Sequence, residues 1–253
     1  MINAKDSKDT FYLLNKKQKT PIILIHGVGL NHTIWEPQID YFDNTVLAYD
    51  ILGHGKTPLN KNIISFDDFS DQLLNLIDEL KFEKIHLIGF SIGSLIARNF
   101  AVKNNNRLKT LTLLCSVFKR NKEQQQIVND RFELSKKSRS LSRQALKRWF
   151  TDQYLEKNPN IFEKITSILI QNNMENFLKI YEFNRNQLSG SRNSRKITEA
   201  HKKRSSITES QAFWMKFGQQ PSDSGMSRGS RNNFRHPVSK NTVLEWLLFF
   251  SPF

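Results

Sequence analysis

The 253-residue chain has a single cysteine, Cys115. One cysteine excludes an intramolecular disulfide and fits a reducing cytoplasm. Cys115 closes an apolar run, where core packing is its expected role. Long hydrophobic runs are absent too. With no stretch of about 18 or more apolar residues, no transmembrane helix and no membrane partner are expected. The apolar segment 244–250, LEWLLFF, is too short to span a bilayer. The opening MINAKDSKDT lacks an apolar h-region, so no secretory signal is expected.

Acidic residues are in short supply: 24 Asp+Glu stand against 38 Lys+Arg, a formal net charge of +14. The excess is uneven. Residues 1–188 hold 27 basic and 20 acidic side chains, whereas residues 189–253 hold 11 and 4, so each part carries +7. Such a charge could steer the chain toward nucleic acid or anionic membranes. The basic residues form no stripe interleaved with aromatics, however, and the plainer reading is solvated helix faces plus an atypical tail. No nucleic-acid partner is expected, and nothing specifies an oligomeric state.

Short apolar runs alternate with helix-like stretches as far as residue 117. FYLLN (11–15), PIILIHG (21–27), TVLAYD (45–50), KIHLIGF (84–90) and LKTLTLLC (108–115) read as strands, apolar enough to be covered on both faces. Over residues 66–80, Phe69, Leu73, Leu76, Ile77 and Leu80 recur at helical spacing, with Ser65 as N-cap and Asp67 and Asp68 in the first turn. A second helix is expected over 91–102, before the polar Asn104–Asn106. Repeated strand–helix–strand succession predicts an α/β fold with a mostly parallel sheet. Residues 149–154, 161–170 and 174–183 read as short amphipathic helices, so a helical insertion follows the fifth strand. No internal repeat is evident.

Two motifs carry chemistry. GFSIG, Gly89–Gly93, is a G-x-S-x-G turn between an apolar strand and an amphipathic helix. Glycines are needed on both sides because the turn leaves no room for a Cβ. Ser91 is then lifted above the sheet edge as a nucleophile, and the Ile92 amide faces outward at a helix N-terminus that favours negative charge. A chance G-x-S-x-G in any glycine-bearing turn is the competing account, and the strand and helix around it argue against that. HGVG, His26–Gly29, follows the PIILI strand, and its expected contribution is a second oxyanion donor, the Val28 amide. His26 is expected to brace this loop by hydrogen bonding and to move no proton. His54 is expected to brace a turn, His86 to be packed within its strand, and His32 to lie in a loop near a pocket mouth.

HGVGLNHTIWEPQIDYF, VLAYDILGHGKT and HLIGFSIGSLIARNFA occur in this order. Together they resemble the α/β-hydrolase superfamily, in particular its small esterase and lactonase branch, which includes 3-oxoadipate enol-lactonases and pimeloyl-carrier-protein methyl esterases. The resemblance implies an α/β-hydrolase core over residues 1–117 and a helical cap over 118–188. It also implies a cofactor-free and metal-free reaction on a small-molecule ester or lactone. By the same resemblance Ser91 is the nucleophile, the Val28 and Ile92 amides form the oxyanion hole, Trp35 lies near the pocket entrance, and Asp50 with Gly53–Gly55 shapes a loop beside the site. A serine at the elbow argues against haloalkane dehalogenases, which use aspartate there.

Residues 189–253 depart from this pattern, leaving the last strands of the fold missing or altered. The family's acid follows a later strand and its histidine the last one, and neither context occurs here. His236 in FRHPV stands late enough to be the base, although it follows no strand. His201, Asp223, Glu199 and Glu209 have poorer contexts still. A shifted reading frame and a genuinely different final segment both account for this Ser/Arg-rich text, which composition marks as solvent-exposed or disordered. The expected function is a serine hydrolase working through an acyl-enzyme. The alternative is a hydrolase-fold binding module or fragment, impaired for want of a complete triad.

Overall fold

The computed structural model describes residues 1–60, 64–117, 120–138, 146–147 and 149–187. The expected strands appear within a residue or two, preceded by one more. They are β1 (Ile2–Lys5), β2 (Phe11–Asn15), β3 (Lys19–Ile25), β4 (Asn44–Tyr49), β5 (Ile85–Phe90) and β6 (Leu108–Leu114). Their order across the sheet is β1-β2-β4-β3-β5-β6. β4, β3, β5 and β6 run parallel, while β1 and β2 join antiparallel at one edge. The mostly parallel sheet read from the apolar runs is therefore present.

β1 escaped the sequence reading because only one of its four residues is even half-buried. Pairing with β2 holds it, not an apolar face. The hairpin is set by Asp6, whose Oδ1 accepts the amides of Lys8 at 2.9 Å and Thr10 at 2.7 Å, with Asp9 left-handed at φ 65°. The central strands behave as their composition requires: Ile23–Ile25 of β3 and Val46–Tyr49 of β4 are fully buried. β6 departs from the expectation of cover on both faces, since its residues are half-buried or exposed.

Among the helices, α1 (Glu36–Ile39) follows a 3-10 turn at His32–Trp35, and α2 (Phe66–Glu79) covers the sheet. Ser65 caps α2 as predicted, in a reciprocal capping box with Asp68. The buried face of α2 includes Phe69, Leu73, Leu76 and Ile77, which meet Ile92, Ile96 and Phe100 of α3 (Ile92–Lys103) in one core cluster. Later helices are α4 (Lys122–Lys137), α5 (Asp152–Lys157), α6 (Ile161–Gln171) and α7 (Met174–Gln187). Beyond β6 the described residues contain no strand.

The described residues 146–162 fall into a second compact unit, separate from the sheet and the helices that continue at Glu163. Within it Phe150 stacks on Tyr154 with ring centroids 5.1 Å apart, and Lys147 pairs with Asp152 at 2.9 Å. In the sheet-bearing unit, Ile180 of α7 joins the same core cluster as the central strands. No described helix is long and apolar enough to cross a membrane.

Candidate active site

Ser91 occupies the turn from β5 to α3 with φ 55° and ψ −118°. A left-handed φ on a serine is uncommon and marks a backbone over-determined by its surroundings. Those surroundings are explicit. The Ser91 amide donates to the Leu114 carbonyl at 3.0 Å, and the Ser91 carbonyl accepts from both the amide and the hydroxyl of buried Ser94, at 2.9 and 2.6 Å.

The flanking glycines are required by packing. A Cβ on Gly89 would come within 2.2 Å of the Gly93 carbonyl oxygen. One on Gly93 would stand 2.6 Å from the carbonyl oxygen of Ile25 and 2.7 Å from that of His26. The helix thus starts directly against the end of β3, and only hydrogen fits at these positions.

The loop after β3 meets the elbow from the other side. A Cβ built on Gly27 would lie 3.4 Å from Ser91 Cβ and 3.0 Å from the Phe90 ring. The Leu30 amide donates to the Gly27 carbonyl at 3.1 Å, and Gly29 has φ 78°. This is the pattern of a type II turn with glycine in its third place. Of the two predicted amides, Ile92 follows Ser91 directly in the chain and Val28 is the second residue of this turn. Ile92 opens α3, so its N–H has no intrahelical acceptor. Among the described residues the Val28 N–H has no backbone acceptor either.

The early histidines form a buried scaffold beneath this loop. His26 is fully buried; its Nδ1 lies 2.8 Å from the Gly27 carbonyl, and its Nε2 accepts the Ile51 amide at 3.1 Å. His54 Nε2 accepts the Gly29 amide at 2.9 Å, with Nδ1 3.3 Å from the Leu52 carbonyl. Both nitrogens of both rings are therefore occupied, each ring as the neutral Nδ1–H tautomer. Burial lowers His26 to about 4 and His54 to about 3. The expected bracing roles of these two residues are present.

His32 requires a correction. It is only 6% exposed, and its Nδ1–H and backbone amide both donate to Asp50 Oδ1, at 2.8 and 2.7 Å. It sits in the interior because buried Asp50 needs donors there. Asp50 Oδ2 accepts the Lys56 amide at 2.9 Å, and Gly55 must lack a side chain because a Cβ would fall 2.2 Å from that oxygen. Burial alone would raise the Asp50 carboxyl, but the His32 hydrogen bond, the His26 and His32 rings and the Lys56 amide together hold it below the ordinary range. Trp35 likewise is 1% exposed and belongs to the core. His86 is half-buried, its Nδ1 2.8 Å from Thr110 Oγ1 on the neighbouring strand.

Cys115 is half-buried at φ 51°, and burial pushes its thiol up to about 11, so it offers no thiolate. No described group of three His, Cys, Asp or Glu side chains could hold a metal ion. His236, with His201, Asp223, Glu199 and Glu209, lies outside the described residues.

Two residues of this region escaped the sequence reading. Gln72 is buried on α2, where it accepts the Leu52 amide at 3.1 Å and donates to the Asp50 carbonyl at 3.0 Å. A glutamine one position before Leu73 on the apolar face was the available signal. Asn172, 3% exposed, bonds to both glycine turns, and nothing in its polar sequence context distinguishes it from its neighbours.

Residues 20–147 match the family model described as the alpha/beta hydrolase fold. An (E)-2-((N-methylformamido)methylene)succinate hydrolase of Acinetobacter baylyi is 30% identical over 174 residues, 68% of this chain and 65% of that protein. 3-oxoadipate enol-lactonase 2 of the same organism is 23% identical, over 72% of this chain and 68% of its own. The chain thus spans about two thirds of the length of these relatives. Among solved structures, the enol-lactonase from Burkholderia xenovorans shares the fold with a TM-score of 0.61 at 19% identity, covering 76% of this chain and 85% of that one. The chain belongs to the α/β hydrolase fold family.

Proposed function

We propose that the chain is a serine hydrolase that cleaves a small carboxylic ester or lactone through an acyl-enzyme. The observation that carries this reading is Ser91 at φ 55°, with the first amide of α3 on one side and the Gly27–Gly29 turn against it on the other. Ser91 Oγ attacks the substrate carbonyl carbon, and its proton passes to a base. The Val28 and Ile92 amides receive the negative charge that develops on the carbonyl oxygen, each donor being worth roughly 3 kcal/mol in the transition state. The protonated base returns its proton to the leaving alkoxide, and water then releases the acyl group. The names of the enol-lactonase relatives support a lactone or ester as substrate.

None of the four described histidines suits the role of base. His26 and His54 have both nitrogens engaged, His32 is tied to Asp50, and His86 lies part-way along β5. Of the two histidines beyond residue 188, His201 and His236, we assign the base to His236, which stands late enough in the chain for that role. The helices over 118–188 act as the cap that limits substrate size, and the single reduced cysteine fits a cytoplasmic setting.

A fluorophosphonate probe tests the proposal. Stoichiometric labelling is expected on Ser91 of the full chain and on nothing in Ser91→Ala. A folded but unlabelled parent would overturn the acyl-enzyme reading, while labelling that persists in His236→Ala would remove His236 as the base.

A further inference from the structure

Resting on the acyl-enzyme reading, the geometry points to Asn172 as a positioning residue: its carboxamide latches the end of α6 to the Gly27–Gly29 turn beside Ser91 and to the Gly53–Gly55 turn, and so orients the Val28 amide. Asn172 stands one residue beyond α6 and is 3% exposed. Its Nδ2 donates to the Gly29 carbonyl at 2.8 Å and to the Ile168 carbonyl at 3.1 Å, and its Oδ1 accepts the Gly55 amide at 3.1 Å. These partners require two donors on one atom and an acceptor on the other, which a carboxamide has and a carboxylate or an alkyl group lacks.

Gly29 is thereby held at both of its polar groups, because its N–H donates to His54 Nε2 at 2.9 Å. The Val28 N–H lies in the Gly27–Val28 peptide plane, whose carbonyl accepts the Leu30 amide at 3.1 Å. The Leu30 N–H shares its plane with the Gly29 carbonyl that Asn172 holds, so fixing that plane fixes, through the turn bond, the direction of the Val28 N–H. The apolar neighbours supply closeness only. A Cβ on Gly29 would meet Leu169 at 2.9 Å and Phe177 at 3.0 Å, and one on Gly53 would meet Ile180 at 2.7 Å. Dispersion contacts of this kind carry little directional preference. The orientation comes from Asn172 and His54.

Asn172→Asp and Asn172→Leu separate this role from general packing. Asp retains an acceptor for Gly55 but loses the donor to Gly29, and Leu loses both. Site-resolved hydrogen exchange on the full chain should show the Gly29 amide at least about tenfold faster in both variants. The Gly55 amide should be faster in Leu alone, and the amides of Ile22–Ile25 unchanged in both. Fluorophosphonate labelling of Ser91 should slow at least about tenfold in maximal rate in both variants, with the half-saturating probe concentration little changed.

An unchanged Gly29 amide, equal effects of Asp and Leu at Gly55, or undiminished labelling despite faster exchange would each overturn the inference. A parent that is never labelled sinks the acyl-enzyme reading instead, and the exchange pattern then decides the latch alone. Should both variants fail to fold, the unmodified chain decides: a common opening rate for the Gly29 and Gly55 amides supports the latch. Free exchange at Gly55 beside a protected Gly29 overturns it.

Discussion

Gly93 and Gly27 lie close together at the elbow yet should respond differently to the same methyl group. The Gly93 Cβ would meet two backbone carbonyl oxygens, at the end of β3 and on the residue after it, and that strand end cannot move away from the Cβ without breaking the pairing of β3 to β4 and β5. The Gly27 Cβ would meet mainly the Phe90 ring, which can tilt by a few tenths of an ångström. Gly93→Ala should therefore destabilise by about 3 kcal/mol or prevent folding, and Gly27→Ala by about 1 kcal/mol, the range of overpacked sites. Urea midpoints of the two variants check the order, and equal midpoints would refute it. G-x-S-x-G disclosed the need for glycine, but which carbonyls exclude the methyl was not legible. Those oxygens belong to the end of β3 and the residue after it, more than sixty residues earlier.

Local signals read well wherever an element's ends carry their own chemistry. α2 begins where Ser65, Asp67 and Asp68 said it would, because a capping box is satisfied within one turn of chain. Ser65→Ala should cost about 1 kcal/mol, measured by denaturant titration; a change under about 0.3 kcal/mol would mean that neighbouring packing fixes this end of the helix. β1 and β6 mark the limit of such signals. β1 has no apolar face of its own and exists through its pairing with β2. β6 is apolar enough to pass for a central strand, yet it is the outermost strand of the described sheet and only half-buried. Composition reports what a strand could bury, whereas its neighbours decide what it does bury.

The sheet-bearing unit as a whole carries a pH signature in its interior. His26 and His54 are held neutral in the fold down to about 4 and 3, whereas in the unfolded chain they titrate near 6.5. Between pH 6.5 and about 4 the unfolded chain thus binds more protons, and stability falls as pH falls, by about 1.4 kcal/mol per pH unit for each ring. Asp50, lowered in the fold, acts in the same direction at still lower pH, as the unfolded carboxyl protonates first. Urea unfolding at pH 7 and pH 5 should show a marked loss at the lower value. A flat profile would mean that these rings are not held neutral.

Strand and helix alternation, the α2 cap, the strand–turn–helix around Ser91 and the glycine turn after β3 were all written into short segments of sequence, because each depends on side chains within a few residues of one another. Tertiary structure alone decided that His32 is buried against Asp50, that Trp35 is core, and that Asn172 reaches Gly29 from 143 residues away. The first and last of these are contacts between polar groups brought together by folding of the whole sheet-bearing unit. A buried carboxylate, carbonyl or amide must find a partner there, and no local pattern says which distant residue will supply it.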